Sequence, residues 1–193
     1  LQPGPEHGSM NSLRRNALQA RRAMSVEERA RASTAICNQV NTSRELYARS
    51  IVGCYLPMSD EVDTREIIET AWRANKRVFV PVLRKQRQMV FCEIREDTEL
   101  TQNDFGVWEP TRGFLMPPRN LDVVITPTVV FDKEAHRIGM GGGYFDRAFA
   151  FLRHRNHWIR PKLIGVAFDC QKVEKITPKP WDIRLYRVVT NKK

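Results

Sequence analysis

The sequence has no long apolar segment. Its 193 residues contain no hydrophobic run near the roughly 20 residues that a membrane-spanning helix requires. The first nine residues also lack the apolar stretch of a secretory signal. We interpret residues 1–9 as a remnant of an expression tag that precedes Met10. We therefore expect a cytoplasmic protein that does not contact a membrane.

Cysteine is scarce and widely spaced. No two of the four cysteines have the Cys-x-x-Cys spacing of a zinc or redox site. Each lies among apolar residues, so we expect four small buried thiols: Cys37, Cys54, Cys92 and Cys170. This use of cysteine is typical of a reducing compartment.

Acidic residues are outnumbered, with 22 Asp and Glu against 32 Lys and Arg and a formal net charge of +10. The basic residues are dispersed, whereas a nucleic-acid-binding protein usually presents them in a stripe or interleaved with aromatics. We therefore expect small anionic ligands, which carry phosphate or carboxylate groups, and no nucleic-acid partner.

Helix-like and strand-like segments alternate along the chain. Three- and four-residue spacing of apolar residues predicts two helices between residues 13 and 40, and Ser25 with Glu28 forms a capping-box pattern at the second. Further helices are predicted at 65–76, capped by Thr64, and at 144–152. Short apolar segments predict strands at 50–57, 77–83, 89–94, 121–132 (interrupted by Pro127), 162–168 and 187–190.

Most of these strands are apolar on both faces. This pattern is typical of a mainly parallel sheet that is covered by helices on both sides. We therefore predict an α/β fold of one domain, residues 10–193, with a Rossmann-like sheet. Residues 98–120 form the longest irregular segment, and a loop of this length is often functional.

Four glycines, Gly139, Gly141, Gly142 and Gly143, fall within five positions before the helix predicted at 144–152. In an open α/β sheet, ligands bind where strands are followed by helices. A loop without Cβ atoms lets backbone N–H groups approach an anion, and the start of a helix adds partial positive charge. The pattern predicts a phosphate cradle, and a tight turn that needs positive φ angles is the alternative.

The residues after the glycines exclude two common phosphate loops. Tyr144 and Phe145 stand where a P-loop needs Lys and Ser or Thr. A dinucleotide fingerprint would lie at the first strand, with an acid about 20 residues further on. This loop instead lies late in the chain, and its acid follows the last glycine by only three positions. Asp146 could complement the helix dipole or bind Mg²⁺ together with phosphates. Arg147 could be a surface cation or a contact to an anionic substrate.

Five segments resemble, in order and spacing, the 5-formyltetrahydrofolate cyclo-ligase family. They are "LRRNALQARRAMSVEERARAS", "CYLPMSDEVDTREII", "GVWEP", "FDKEAHRIGMGGGYFDR" and "GVAFDCQKVEKI" with "PWDI" after it. The resemblance covers residues 13–190 and implies a cyclo-ligase domain at 10–193. It implies a ligase that forms a C–N bond, acts on small molecules, and uses ATP as co-substrate with Mg²⁺. We also expect a monomer.

The implied reaction converts 5-formyltetrahydrofolate to 5,10-methenyltetrahydrofolate and gives ADP and phosphate. ATP would transfer its γ-phosphoryl group to the formyl oxygen, and N10 would then attack and expel phosphate. Phosphoryl transfer depends on positioning and charge neutralisation, so we expect no covalent enzyme intermediate.

The resemblance also implies site residues. Catalytic roles fall on Arg137, Tyr144 and Asp146, and Mg²⁺ would be bound by Asp146 and Asp182. ATP would contact Arg14, Arg137, Ile138, Gly139, Met140, Gly141, Gly142, Gly143, Tyr144 and Phe145. The folate would contact Leu56, Met58, Glu61, Trp108 and Tyr144, in a largely apolar slot. Glu61 would anchor polar edges of the pterin, or alternatively cap the helix that follows Thr64.

A few positions depart from the family pattern. Several relatives carry a Lys where Met10 and Asn11 stand, and some have a basic residue at the positions of Met140 or Gly142. Tyr186 occupies a place that is often Asp. Three alternatives stay open: another ATP- or phosphosugar-handling enzyme, a nucleotide sensor or RNA-associated protein, and a purely structural role for the glycines.

Overall fold

The structure of the chain is a computed structural model that describes residues 5–154 and 160–192. Of the segment interpreted as a tag remnant, residues 1–4 lie outside the described residues, and residues 5–9 belong to the backbone of the first helix. The helices are α1 (Pro5–Ala23), α2 (Val26–Asn41), α3 (Arg44–Tyr47), α4 (Arg65–Arg73) and α5 (Tyr144–Ala148). Within the described ranges, no helix combines the length and hydropathy needed to span a bilayer.

The start of α2 follows the predicted capping box. The amide of Glu28 donates to Oγ of Ser25 at 3.1 Å, and the amide of Ser25 donates to the Glu28 carboxylate at 2.8 Å. The predicted cap of α4 is wrong, because the Thr64 hydroxyl donates instead to the carbonyl of Tyr55 at 2.6 Å. The helix predicted at 144–152 is divided: α5 ends at Ala148, and a 3-10 turn continues over Ala150–His154.

In the described part of the chain, seven strands form the main sheet in the order β11-β10-β7-β1-β2-β3-β6. These strands are β1 (Ile51–Gly53), β2 (Arg77–Leu83), β3 (Met89–Ile94), β6 (Leu115–Met116), β7 (Val123–Pro127), β10 (Lys162–Val166) and β11 (Arg187–Val189). The five strands from β11 to β2 are parallel, and β3 and β6 each pair antiparallel with their neighbour. The predicted α/β class with a mainly parallel sheet is confirmed.

Two small hairpins lie outside this sheet. One pairs β4 (Leu100–Gln102) with β5 (Trp108–Pro110), and the other pairs β8 (Val130–Phe131) with β9 (Arg137–Ile138). The segment 98–120, predicted as irregular, therefore contains three short strands, which are β4, β5 and β6. Pro127 ends β7 before β8 begins, as the sequence predicted.

Helices cover both faces of the sheet. One core cluster includes Ile36 and Val40 of α2 and Ile67 and Ile68 of α4, together with inward residues of the parallel strands. The second cluster brings Phe149, just after α5, against Phe79, Phe91 and Leu163. A third cluster packs Ala17 of α1 against the β8–β9 hairpin. Because of this last contact, α1 is held beside the loop that follows β9.

The buried-thiol prediction is confirmed for three cysteines and wrong for the fourth. Cys37, Cys54 and Cys92 are buried, whereas Cys170 is exposed. Cys170 lies in a short 3-10 turn, Asp169–Gln171, outside the sheet, and its Sγ is 3.7 Å from Sδ of Met24.

Candidate active site

A cleft of about 720 Å³ lies at the carboxyl ends of β1 and β7. The next strand in sequence, β2, pairs with one edge of β1, whereas β7 pairs with the other edge of β1. Such a switch point leaves a crevice beyond the strand ends, where α/β proteins bind ligands. Tyr55 and Leu56, soon after β1, and Pro127 and Val129, at the end of β7, line this cleft.

The glycine loop, residues 139–143, lies along the cleft and connects β9 to α5. Gly141 and Gly143 have φ angles of +104° and +65°, which other residues rarely adopt. Gly142 has no such angle, but a Cβ atom there would lie 2.8 Å from the ring of Tyr144. Both the turn and close packing therefore require glycine.

The surroundings of this loop differ from the prediction in two respects. The strand before it, β9, belongs to a hairpin and not to the main sheet, and α5 has only five residues. So short a helix aligns few peptide dipoles, so its contribution to anion binding is small. Positive charge at the loop therefore comes chiefly from arginine side chains.

Arg14 of α1 contacts the glycine loop directly. Its Nε donates to the carbonyl of Gly139 at 2.8 Å, and Nη1 donates to Oδ1 of Asn11 at 2.7 Å. Its guanidinium carbon lies 3.6 Å from the place that a Cβ atom on Gly141 would occupy. The structure thus brings together Arg14 and the loop, although 125 positions separate Arg14 from Gly139 in the sequence.

Arg137 is a buried cation at the start of the same loop, with a side chain only 6% exposed. Burial lowers the pKa of its guanidinium, and the charges of Asp146 and Asp182 oppose that effect. Nη2 lies 3.5 Å from Oδ1 of Asp146, and the guanidinium carbon lies 5.1 Å from the ring centre of Phe145. Among the described residues, Nε of Arg137 has no hydrogen-bond partner. A buried cation with an unpaired donor is suited to an anionic ligand.

Two carboxylates line the cleft beside Arg137. Oδ1 of Asp146 accepts from the amide of Ile183 at 3.1 Å, and Oδ2 of Asp182 accepts from the amide of Lys179 at 2.8 Å. Within residues 5–154 and 160–192, no three His, Cys, Asp or Glu side chains are grouped as a metal site. Mg²⁺ is usually bound by one or two carboxylates together with phosphates and water. The donor set therefore fits Mg²⁺ that arrives with a phosphate ligand.

Three of the four side chains predicted around the substrate besides Tyr144 line the cleft: Leu56, Met58 and Glu61. Oε2 of Glu61 accepts from the amide of Met58 at 3.0 Å, and the Glu61 amide donates to the Met58 carbonyl at 3.1 Å. Glu61 therefore closes its own turn and does not cap α4. Burial raises the pKa of Glu61, while the hydrogen bond from Met58 and the charge of Arg21 oppose this rise.

Trp108 does not line the cleft, contrary to the prediction, and its side chain is 44% exposed. It lies on β5 between Val107 and Glu109, which do line the cleft, and successive side chains on a strand point to opposite faces. Oε1 of Glu109 accepts from the amide of Leu83 and from Nδ2 of Asn103, both at 2.9 Å. Within the "GVWEP" segment, Val107 and Glu109 therefore face the cleft, and Trp108 does not.

The other predicted residues of the loop and of α5 also line the cleft. Ile138, Met140, Tyr144 and Phe145 line the cleft with the glycines. Sequence reasoning missed further basic residues there, namely Arg87, Arg153 and Lys179, which no local pattern connects to the loop. Tyr186, at a position that departs from the family pattern, lies outside the cleft, with Nζ of Lys162 4.0 Å from its ring centre.

Comparisons with known proteins identify related sequences. Residues 6–191 match the 5-formyltetrahydrofolate cyclo-ligase family. The chain is 36% identical over 179 residues to the 5-formyltetrahydrofolate cyclo-ligase of Escherichia coli (strain K12). The alignment covers 91% of this chain and 96% of the relative. The Haemophilus influenzae cyclo-ligase is 34% identical over 144 residues, 72% of this chain and 74% of the relative.

Solved structures share the fold. The NMR structure of 5,10-methenyltetrahydrofolate synthetase from Aquifex aeolicus superposes with a TM-score of 0.81 at 28% identity, over 95% of this chain and 90% of that one. The synthetase of Mycoplasma pneumoniae superposes with a TM-score of 0.74 at 24% identity, over 95% of this chain and 99% of that one. At this lower identity, the second likeness concerns the fold alone.

Proposed function

Because the chain belongs to the 5-formyltetrahydrofolate cyclo-ligase family, we propose that it cyclises 5-formyltetrahydrofolate to 5,10-methenyltetrahydrofolate with ATP and Mg²⁺. The resemblance on which the sequence interpretation relied is confirmed, and the chain is a ligase of this family. Family membership selects this reaction among the alternatives that the sequence left open. The products besides the methenyl compound are ADP and phosphate.

The chemistry requires an activated formyl group. A formamide oxygen is a poor leaving group, and transfer of the γ-phosphoryl group of ATP onto it gives an imidate-like phosphate. N10 then attacks the formyl carbon, the C–N bond forms as N10 loses its proton to solvent, and the C–O bond breaks with release of phosphate. Such a transfer depends on positioning and on neutralised charge, which arginines and backbone amides supply.

The buried guanidinium of Arg137 carries the assignment of the nucleotide end of the cleft. Its Nε lacks a partner among the described residues, and the glycine loop and Arg14 lie beside it. A phosphate oxygen would satisfy this donor and replace the water that burial removes. Arg14 and residues 137–145 would therefore bind the triphosphate, with Arg137 and Tyr144 nearest to the transferred group.

Asp146 and Asp182 would hold Mg²⁺ together with the phosphates. When bound, the ion neutralises charge on the transferring phosphoryl group. Asp146 is also the partner of Arg137, so its carboxylate orients that buried guanidinium and offsets part of the cost of burying its charge. The carboxylate of Asp182 accepts a hydrogen bond from the amide of Lys179, and its negative charge partly offsets the lowering of the Arg137 pKa by burial.

The folate would occupy the end of the cleft that follows β1. Leu56 and Met58 supply apolar surface there, and Tyr144, which directly follows the glycine loop, lines the same cleft. The carboxylate of Glu61, held by the Met58 amide, would accept from the polar edge of the pterin. Trp108, which is outside the cleft, is not part of this proposal.

Three further expectations accompany this function. We expect the enzyme to act as a monomer in the cytoplasm, and we expect no nucleic-acid partner, since its basic residues are dispersed. The positive charge instead matches the triphosphate and the glutamate tail of the substrates.

A direct assay tests the proposal. The purified protein is mixed with 5-formyltetrahydrofolate and Mg·ATP, and the near-ultraviolet absorbance of the conjugated methenyl product is followed. We expect product only when ATP and Mg²⁺ are both present, and none with Asp146→Asn. Asp97→Asn, an exposed carboxylate outside the cleft, is the matched control and should remain active. Full turnover by Asp146→Asn would refute the metal assignment.

A further inference from the structure

Arg147 joins two loops of the cleft. Its guanidinium donates through Nη2 to the carbonyl of Gly142, and through Nε to the carbonyl of Arg87 at 3.3 Å. Gly142 belongs to the glycine loop, whereas Arg87 belongs to the turn between β2 and β3. All three residues line the cleft. Arg147 therefore fixes the glycine loop against a turn from the opposite half of the sequence.

The glycine loop leaves the space that this guanidinium occupies. A Cβ atom at Gly143 would lie 2.9 Å from Nη1 of Arg147, closer than Cβ contacts normally are. The guanidinium carbon also lies 5.6 Å from the ring centre of Tyr144, within the range of a cation–π contact. Residues 138–146 include no basic side chain. The guanidinium of Arg147 therefore borders both Gly142 and Gly143.

The two hydrogen bonds of Arg147 leave donors for a ligand. A guanidinium carries five N–H groups, and the two carbonyls are bound by Nε and Nη2. In the part of the chain that the structure describes, Nη1 makes no hydrogen bond, and the side chain is exposed to the cleft and solvent. The planar arrangement of these donors matches an oxyanion.

We propose that Arg147 binds an anionic oxygen of a substrate while it holds the glycine loop in place, and that this oxygen belongs to the triphosphate. The contact with Gly142 and Gly143 favours the triphosphate over the other anionic group available, a carboxylate of the folate's glutamate tail. The inference rests on the proposed function, in which the glycine loop binds the nucleotide. The residues assigned to ATP by resemblance end at Phe145, so Arg147 adds a contact.

The test compares Arg147→Met and Arg147→Lys with Arg184→Met. Arg184 is a matched control, because it is an exposed arginine outside the cleft whose Nε also donates to a carbonyl, that of Glu134 at 2.6 Å. Calorimetry measures the Kd for Mg·ATP without folate, and steady-state assays measure KM for Mg·ATP and for 5-formyltetrahydrofolate. Circular dichroism melts confirm that each variant is folded.

Loss of a charge-assisted hydrogen bond should weaken nucleotide binding by about ten- to one-hundredfold in Arg147→Met, with KM for the folate unchanged. Arg147→Lys should recover part of the affinity, since it keeps the charge but loses the planar fork. Arg184→Met should bind like the wild type.

Two results would overturn the inference. Nucleotide affinity that is unchanged in a folded Arg147→Met would exclude the contact. A rise in KM for the folate alone, larger with a polyglutamate tail, would assign the oxygen to the carboxylate and not to the triphosphate. Failure of the proposed function is distinguishable, because it would appear as wild-type protein that binds Mg·ATP but forms no methenyl product.

Discussion

Oδ1 of Asp146 accepts a hydrogen bond from the amide of Ile183 at 3.1 Å. This bond connects the first turn of α5 to the segment that carries Asp182, which lies 36 positions after Asp146 in the sequence. Both carboxylates consequently line one cleft and influence one guanidinium, that of Arg137. Because Asp146 also pairs with Arg137 and Asp182 does not, substitutions of the two residues should have different effects.

Substitution of the two carboxylates should therefore give different results. If Asp182 binds Mg²⁺ as proposed, Asp182→Asn should raise the Mg²⁺ concentration for half-maximal activity about tenfold or more, since one charged contact contributes roughly 1.5–3 kcal/mol. Asp146→Asn also removes the partner of Arg137 and should abolish turnover at any Mg²⁺ concentration. Activity assays across a Mg²⁺ titration make the comparison. Identical Mg²⁺ dependence of Asp182→Asn and the wild type would remove Asp182 from the metal site.

Gly143→Ala tests why the loop needs glycine. The φ angle of +65° imposes a strain of about 1–2 kcal/mol on alanine, and the new Cβ atom would displace the guanidinium of Arg147. Gly106→Ala is the matched control, because its φ is +73° and nothing lies within 4 Å of the added atom. We expect a similar loss of unfolding free energy in both variants, measured by urea denaturation, and a loss of activity in Gly143→Ala alone. Equal activity of the two variants would show that the displacement of Arg147 is harmless.

Asp132 should make the fold sensitive to acid. Its buried carboxylate accepts from the amides of Glu134, His136 and Ile176 at 2.9–3.0 Å, and Oδ2 also lies 3.0 Å from Nδ1 of His136. Burial alone raises the pKa of Asp132, but these hydrogen bonds outweigh it, so the pKa is lowered overall. A lowered pKa stabilises the fold above the unfolded value of about 3.9, and this stability is lost as the pH falls through the folded value.

The variant Asp132→Asn should therefore lose about 1–3 kcal/mol of unfolding free energy at neutral pH and depend less on pH below about 4. Chemical denaturation at a series of pH values gives the difference between variant and wild type, in which contributions from other carboxylates cancel. The exposed Asp97→Asn should follow the wild-type curve. Parallel curves for Asp132→Asn and wild type would contradict the lowered pKa.

The four thiols should differ in reactivity. Burial raises the pKa of Cys37 and of Cys54 to about 12, so neither forms the nucleophilic thiolate at ordinary pH. Cys170 is exposed and should be alkylated first by iodoacetamide in the native protein. Mass spectrometry of peptides at successive times gives the order, and denatured protein serves as the control in which all four react. Modification of Cys54 as fast as Cys170 would contradict the burial of Cys54.

Local sequence patterns determined much of this molecule. The capping box at Ser25, the apolar strands and the end of β7 at Pro127 depend on residues that are neighbours in the chain, so periodicity and turn chemistry were sufficient. The glycines after Arg137 likewise marked the loop that lines the cleft, and the motif resemblance led to the confirmed family.

Only the tertiary structure decided which side chains meet. In the structure, Glu109 and not Trp108 lines the cleft, and Arg147 contacts both Gly142 and Arg87. Helix α5 is shorter than predicted, and Cys170 is exposed. These outcomes depend on contacts between segments that are distant in the chain, and no local period encodes them. The sequence by itself specified the elements and the chemistry of the loop. The packing of those elements around one switch point determined which charges face the cleft, because burial and hydrogen bonding are settled by neighbours in space.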